Sequence, residues 1–203
     1  MNYILIPVHQ LDSQQLKLLA SLHQAVMETL LSDLGFPIVE RYYQAAAEDE
    51  KVIGFCAVRE GAALGWVVGS PHPQALNNRL RSPLWWFALQ MLRVLFTRPR
   101  LLWQLAVSAR LARNESIPEP GEIELTYLGV APEARGQKLG YALLQEFITT
   151  CRAAGYKKVL LSVEIENEAA ADLYRKSDFQ IAKTFTEGQY ERHRMELTLE
   201  STL

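Results

Sequence analysis

The chain has 203 residues, of which 49% are hydrophobic and 22% charged, and its formal net charge is −2. This composition is ordinary for a globular domain, and it argues against intrinsic disorder and against a global charge that attracts nucleic acid. Two cysteines are too few for a disulfide framework, and the N-terminus has neither the basic segment nor the cleavage site of a signal peptide. We therefore expect a single domain over residues 1–203, located in the reducing cytoplasm and without a nucleic-acid partner.

The N-terminal third is expected to form the antiparallel part of a sheet. Apolar runs predict strands at 3–8, 51–58 and 62–69. Glu60 and Gly61 lie between the last two strands and predict a hairpin turn, and Gly65 is a candidate β-bulge. Asp12 or Ser13 can cap a first helix, and a second helix is expected over 39–47. The apolar stripe of the first helix consists of Leu16, Leu19, Leu22 and Val26.

Residues 71–120 carry no motif and are predicted to form a helical insertion. Helical stretches are expected near 83–97 and 99–113, because Pro99 breaks or restarts a helix. The segment from 79 to 113 contains seven arginines and no acidic residue. The segment also has large apolar residues that another surface must shield from water: Trp85, Trp86, Phe87, Leu89, Leu92, Phe96, Leu101, Leu102 and Trp103. Three alternatives remain open, namely packing on the domain beside an acceptor pocket, a homodimer interface, and weak contact with an anionic membrane surface.

The C-terminal half alternates strands with helices, which is typical of an α/β domain. Strands are predicted at 123–130, 159–163, 179–185 and 190–198. Helices are predicted over 137–154 and from the Asn167 cap to about 176. Cys151 lies on the apolar stripe of the first of these helices and is interpreted as a buried hydrophobe. The four histidines show no metal-ligand spacing, so no metal site is predicted.

The most informative stretch is Leu128 to Gly140, where a strand ends at Pro132 and an Arg-Gly turn opens a helix. Free N–H groups and the positive end of the helix dipole converge at such a point, so it can hold an anionic group. Arg135 and Lys138 add positive charge. The glycine spacing matches neither a P-loop nor a dinucleotide fingerprint. A different phosphate-bearing ligand is therefore expected.

This stretch resembles the acetyl-CoA signature of the GNAT superfamily of N-acetyltransferases, which is Leu-x-Val-x-Pro followed by Arg/Gln-x-x-Gly-x-Gly/Ala. The matching residues are Leu128, Val130, Pro132, Arg135 and Gly140. Lys138 stands where the family's first glycine usually occurs. A second stretch, 167–179, is similar to the family's Asn-x-x-Ala-x-x-Leu-Tyr-x-Lys-x-Gly-Phe, with Asp178 in place of the glycine.

The resemblance implies an α/β fold with a mixed, twisted sheet of about six or seven strands, flanked by helices. It also implies direct transfer of the acetyl group of acetyl-CoA to a primary amine, without a metal and without a covalent enzyme intermediate. The residues expected to contact the cofactor are Leu128, Gly129, Val130, Arg135, Gly136, Gln137, Lys138, Leu139, Gly140, Tyr141, Asn167 and Tyr174.

Two residues are candidates for catalysis. Glu124 lies six residues before Val130, so even spacing predicts that both side chains share one face of the strand. The resemblance implies that this carboxylate accepts the proton of the amine, and Glu122 is the nearest competing candidate for that role. The alternative is that Glu124 is an ordinary polar residue of the strand. Tyr174 occupies the family's general-acid position and would protonate the CoA thiolate, although a tyrosine on an Ala-rich helix can also be core.

The acceptor cannot be identified from the residues. A small-metabolite amine is the first choice, and a protein lysine or N-terminus is the second. A non-catalytic acyl-CoA-binding module is the alternative from a different functional class, because a fold does not guarantee turnover.

Overall fold

A computed structural model describes residues 2–97, 118–187 and 190–199 of the chain. Its strands are β1 Ile4–Pro7, β2 Ile53–Arg59, β3 Ala62–Ser70, β4 Glu122–Val130, β5 Lys158–Glu164, β6 Gln180–Glu187 and β7 Tyr190–Thr198. Its helices are α1 Ser13–Val26, α2 Leu30–Asp33, α3 Phe36–Ala47, α4 Pro73–Arg79, α5 Leu84–Thr97, α6 Leu139–Ala153 and α7 Glu168–Arg175.

The seven strands form one sheet in the order β1-β2-β3-β4-β5-β7-β6. Neighbouring strands are antiparallel except β4 and β5, which run parallel. The expected mixed α/β sheet is thus confirmed. The parallel pair lies at the centre of the sheet. Its strands are parallel because α6 returns the chain from the end of β4 to the start of β5.

Each face of the sheet is covered by its own apolar core. On the face that we call the α6 face, Leu143, Phe147 and Cys151 of α6 pack with Ile123 of β4. On the α1–α3 face, side chains of α1, α3 and α4 surround Trp66 of β3, which is fully buried. The predicted stripes of α1 and α6 are therefore the sides that face the sheet.

Local sequence signals explain several element ends. Asp12, one of the two predicted N-cap candidates, caps α1 and also forms a capping box with Gln15. Glu60 and Gly61 both have positive φ, of 51° and 80°, in the predicted hairpin turn. The extra residue of the β2–β3 bulge is Leu64, one position before the predicted Gly65. A Cβ on Gly65 would come within 2.9 Å of the Gly129 carbonyl oxygen, so close approach explains this glycine.

The insertion begins with the short helix α4, which the sequence analysis did not predict. The expected helix near 83–97 is present as α5, whereas the one near 99–113 lies outside the described residues. Trp86 and Phe87 of α5 pack against the core of the α1–α3 face. In the portions of the chain that the structure covers, none of the helices has both the length and the hydrophobicity to cross a bilayer.

Candidate active site

The strands β4 and β5 are paired only at their beginnings, and we call the space between them beyond this pairing the cleft. Their register covers Glu122 to Glu124 on β4 and Lys158 to Leu160 on β5. Beyond this point the two strands are no longer paired, although β4 continues to pair with β3 as far as Val130. The last part of β4 therefore presents one main-chain edge to the cleft. Extended groups can add to such an edge through backbone hydrogen bonds.

A β-bulge in β4 decides which side chains reach each face. Val68 pairs with Tyr127 and Gly69 pairs with Leu125, which leaves Thr126 as the extra residue. The extra residue reverses the alternation of side chains along the strand. Ile123 and Leu125 belong to the core of the α6 face, as do Leu128 and Val130. Glu124 alternates with Ile123 and Leu125 and so lies on the α1–α3 face, which makes the prediction that it shares a face with Val130 wrong.

The turn after β4 contains the predicted anion-binding residues. Gly136 and Lys138 adopt positive φ values of 73° and 60°, so α6 begins at Leu139 rather than at the predicted position 137. Arg135 Nε donates to the Val130 carbonyl at 3.3 Å, which ties the turn to the end of β4. The first N–H groups of α6 point out of the helix here, as they do at any helix start.

Both departures from the family motifs occur where the backbone is left-handed. Lys138 precedes α6 with a φ of 60°, and Asp178 follows α7 with a φ of 66°. Glycine adopts this conformation without a steric penalty, whereas a residue with a Cβ is strained there. The left-handed backbone explains why the family motifs have glycine at these two positions. This chain has the same backbone conformation there with Lys138 and Asp178 instead.

Two glycines in the motif have different surroundings. A Cβ on Gly129 would lie 2.4 Å from the Trp66 ring, so that indole excludes any larger residue. A Cβ on Gly140 would be 3.5 Å from Val130 Cγ2 and 3.6 Å from Leu173 Cδ2. Gly140 therefore lies between β4 and α7, where a Cβ would make only ordinary contacts. The neighbouring Leu139 is buried and Tyr141 is 45% exposed.

The second motif forms α7 and its cap. Asn167 Oδ1 accepts a hydrogen bond from Ala170 N at 3.2 Å, so the capping interpretation is supported. Its contact with a cofactor stays a prediction. Tyr174 is 6% exposed in the core of the α6 face, and its ring lies 5.7 Å from that of Phe179. Burial raises the pKa of Tyr174 to about 12, so its phenol is protonated at neutral pH.

On the opposite face, Glu124 is paired with a buried arginine that sequence reasoning missed. Arg194 of β7 is 8% exposed, and its Nη1 donates to Glu124 Oε1 and to Ser162 Oγ. These three side chains come from β4, β5 and β7, next to the point where β4 and β5 separate. The charged residues at every second position of β7, Arg192, Arg194 and Glu196, are a signal that could have identified this polar face.

The competing carboxylate, Glu122, has a structural role. Lys158 Nζ lies 3.2 Å from Glu122 Oε1 and 3.5 Å from Glu196 Oε2. The other oxygen, Oε2, accepts from the backbone N–H of Glu119 at 3.0 Å. Because both oxygens of Glu122 already have partners, Glu124 is the better placed of the two to receive a proton.

A buried aromatic cluster packs beside the bulge. The His23 ring of α1 is fully buried, with Nδ1 2.7 Å from the Tyr43 hydroxyl and Nε2 3.3 Å from Thr29 Oγ1. Its centroid lies 4.7 Å from that of Tyr127, the residue after the bulge. Burial lowers the pKa of His23 to about 4, so the ring is neutral at physiological pH. No sequence pattern distinguished this histidine from the other three.

The remaining reactive side chains do not form a site. Burial raises the pKa of Cys56 to about 12 and also raises that of Cys151, as expected for inert buried thiols. Among the described residues, no group of three or more His, Cys, Asp or Glu side chains is arranged to hold a metal ion.

Comparison with known proteins identifies the family. A model of the acetyltransferase (GNAT) family matches residues 19–179. The mycothiol acetyltransferase of Geodermatophilus obscurus is 34% identical over 113 residues, which are 53% of this chain and 36% of that protein. A putative ribosomal protein bS18-alanine N-acetyltransferase of Bacillus subtilis is 30% identical over 59 residues, or 29% of this chain and 39% of that protein. The matched stretches thus span little more than a third of these relatives.

Solved structures share the fold over nearly the whole chain. The ribosomal-protein-S18-alanine N-acetyltransferase of Escherichia coli aligns with a TM-score of 0.62 at 16% identity, covering 100% of this chain and 99% of that one. The NatC complex bound to Gag peptide and CoA aligns with a TM-score of 0.61 at 16% identity, covering 98% and 100%. At this identity the likeness concerns the fold alone.

Proposed function

Because the chain belongs to the acetyltransferase (GNAT) family, we propose that it transfers the acetyl group of acetyl-CoA directly to the primary amine of a small metabolite. The separation of β4 from β5 after Glu124 is the observation that supports this function best. It leaves the main chain of Leu128–Val130 facing a cleft, beside a glycine turn and the start of α6. An extended, phosphate-bearing thioester fits these two features together.

The residues present are suited to hold acetyl-CoA, which supplies the activated acetyl group. The N–H groups of Leu139, Gly140 and Tyr141 would bind its phosphates, with charge from Arg135 and Lys138. Gly136 and Gln137 line the same turn. The cleft edge of β4 would hold the pantetheine arm, and the bare Cα of Gly140 leaves room beside Val130 and Leu173.

Glu124 is the proposed acceptor of the amine proton, either directly or through a water molecule. Its side chain is 21% exposed, and it lies on the face opposite the α6 core. Arg194 would act as a positioning residue, because its guanidinium holds one carboxylate oxygen of Glu124 at the mouth of the cleft. The amine would then approach from the α1–α3 face while the thioester lies against the α6 face.

Tyr174 is the proposed donor of a proton to the departing thiolate. A donor must carry its proton at working pH, and burial keeps the phenol of Tyr174 protonated. The same burial makes the phenol a weak acid. A thiolate that leaves within the same apolar cleft also loses solvation and becomes more basic, which favours the transfer.

A peptide N-terminus is the second candidate acceptor, because the Bacillus subtilis relative is named for the alanine of bS18. Thiol release from acetyl-CoA should be measured with two matched panels, one of small amines and one of short peptides with free N-termini. Turnover of one panel identifies the acceptor class, and Tyr174→Phe serves as the reaction control. Binding of acetyl-CoA by calorimetry without release on either panel would instead favour the non-catalytic module.

A further inference from the structure

One side of α5 exposes large apolar side chains to solvent. We call it the α5 outer face, formed by Leu84, Trp85, Leu89, Leu92, Leu95 and Phe96. The exposed fractions of Trp85 and Phe96 are 70% and 79%, and those of the others are between 45% and 74%. Such a continuous patch on a folded domain is typical of an interaction site, whereas single exposed apolar residues are common.

The opposite side of α5 is already anchored to the domain. Trp86 and Phe87 pack against the core of the α1–α3 face, and Gln90 and Val94 are buried. Trp85, Leu89, Leu92 and Phe96 follow the spacing of one helical stripe. The helix therefore holds its outer face in a fixed orientation away from the core.

Exposed arginines lie next to this face. Arg81 and Arg93 are exposed next to it, and Arg79 is exposed with its guanidinium 3.5 Å from Asp49. In the sequence, the whole segment from 79 to 113 has seven arginines and no acidic residue. A complementary surface must therefore be negatively charged and must also accept Trp, Phe and Leu side chains.

A second copy of the chain does not meet this requirement. A twofold interface places the same patch of each copy against the other. It would bring Arg81 and Arg93 of one copy close to the same two arginines of the other. Nucleic acid would satisfy the charge but would leave the leucines without an apolar environment.

We propose that the α5 outer face, together with Arg81 and Arg93, binds the surface of an anionic lipid bilayer. The apolar side chains would enter the boundary between headgroups and acyl chains, and the arginines would contact lipid phosphates. The helix would lie in the plane of the bilayer, and the rest of the domain would remain in the aqueous phase.

Vesicle flotation with the full chain tests this proposal. Vesicles of phosphatidylcholine containing roughly one third phosphatidylglycerol should bind the protein at least about tenfold more tightly than pure phosphatidylcholine. The binding should weaken as salt is raised, because surface charges are screened. Equal binding to both compositions, or none at low salt, would overturn the proposal.

Two double variants separate the contributions. Trp85→Ser with Phe96→Ser should weaken vesicle binding roughly tenfold or more. Arg81→Gln with Arg93→Gln should weaken it about twenty-fivefold, at about fivefold for each arginine. The matched control is Ile4→Ser with Ile181→Ser, two exposed apolar residues elsewhere, which should bind as the wild type does. Circular dichroism and acetyl-CoA calorimetry verify that each variant is folded.

A different result would assign the face to self-association. If the Trp85 and Phe96 variant bound vesicles normally but changed from dimer to monomer in light scattering, the bilayer proposal would be wrong. Wild-type protein that remains monomeric in solution while it floats with anionic vesicles supports the bilayer.

Discussion

The two faces of β4 are built in different ways. On the α6 face, Leu128, Val130 and Gly140 are close in sequence and meet through one strand, one turn and one helix. On the α1–α3 face, Glu124 meets Arg194 across 70 residues of chain. Local geometry therefore forms the proposed cofactor cleft, and long-range pairing forms the proposed acceptor side. Substitutions on the first face should change acetyl-CoA binding or thiolate release, whereas those on the second should change pH dependence.

The largest effect is expected for Tyr174→Phe. Loss of the proton donor should lower kcat about a thousandfold, with acetyl-CoA affinity nearly unchanged, since the ring can still pack against Phe179. Steady-state kinetics and calorimetry measure the two quantities. Tyr156→Phe is the matched control, because this tyrosine lies at the far end of α6. An unaltered rate constant for acetyl transfer in single-turnover experiments would show that Tyr174 has only a packing role in the core.

The next effect concerns stability on the α1–α3 face. The folded-state pKa of His23 is about 4, below its ordinary value of 6.5, so the unfolded chain binds the proton first. The neutral, buried ring of His23 therefore contributes about 3 kcal/mol to the free energy of unfolding above pH 6.5. This contribution is lost as the pH falls to 4. Urea unfolding of wild type and His23→Gln at several pH values measures it. Identical pH slopes for the two proteins would contradict this assignment.

Glu124→Gln should lower kcat/KM about a hundredfold at neutral pH, because the amine loses its proton acceptor. The deficit should shrink at higher pH, where more of the free amine is already deprotonated. Glu122→Gln provides the comparison on the same strand face and should show a smaller loss without this recovery. If the pH profile of Glu124→Gln ran parallel to that of the wild type, the proton acceptor would be a different group.

On the α6 face, Gly140→Val should weaken acetyl-CoA binding roughly tenfold to a hundredfold, because branched methyl groups would narrow the cleft beside Val130 and Leu173. Gly140→Ala should have little effect, since a Cβ at this position makes only ordinary contacts. Calorimetry of both variants compares them directly. Equal affinities would place the cofactor elsewhere.

The smallest effects are expected at the two left-handed positions. Lys138→Gly and Asp178→Gly should each stabilise the fold by about 1 kcal/mol, because glycine relieves the strain of positive φ. Only Lys138→Gly should also weaken acetyl-CoA binding, and most clearly at low salt. Glu60→Gly, in the β2–β3 hairpin, is a control for strain relief alone. If Asp178→Gly weakened acetyl-CoA binding to a similar extent, the loss in Lys138→Gly could not be assigned to the positive charge of Lys138.

Element order and the two motifs could be read from the sequence because they depend on local rules. Alternating polarity, the Asp12 cap, the Glu60-Gly61 turn and the helical stripes each involve residues within a few positions of one another. Helix α4 was missed. The predicted start of α6 was two residues early because the motif alone did not show the positive φ of Gly136 and Lys138.

The sequence predicted the α/β class, and its two motifs predicted the strand-turn-helix that is proposed to bind phosphate and the candidates Glu124 and Tyr174. The face of the sheet on which each candidate lies depends on how the complete sheet assembles. The bulge at Thr126 moved Glu124 away from the face of Val130, and a bulge arises from pairing with another strand. The partnership of Glu124 with Arg194 and the burial of His23 also depend on distant chain segments. Short-range spacing cannot encode such contacts, because packing of the complete sheet brings them together.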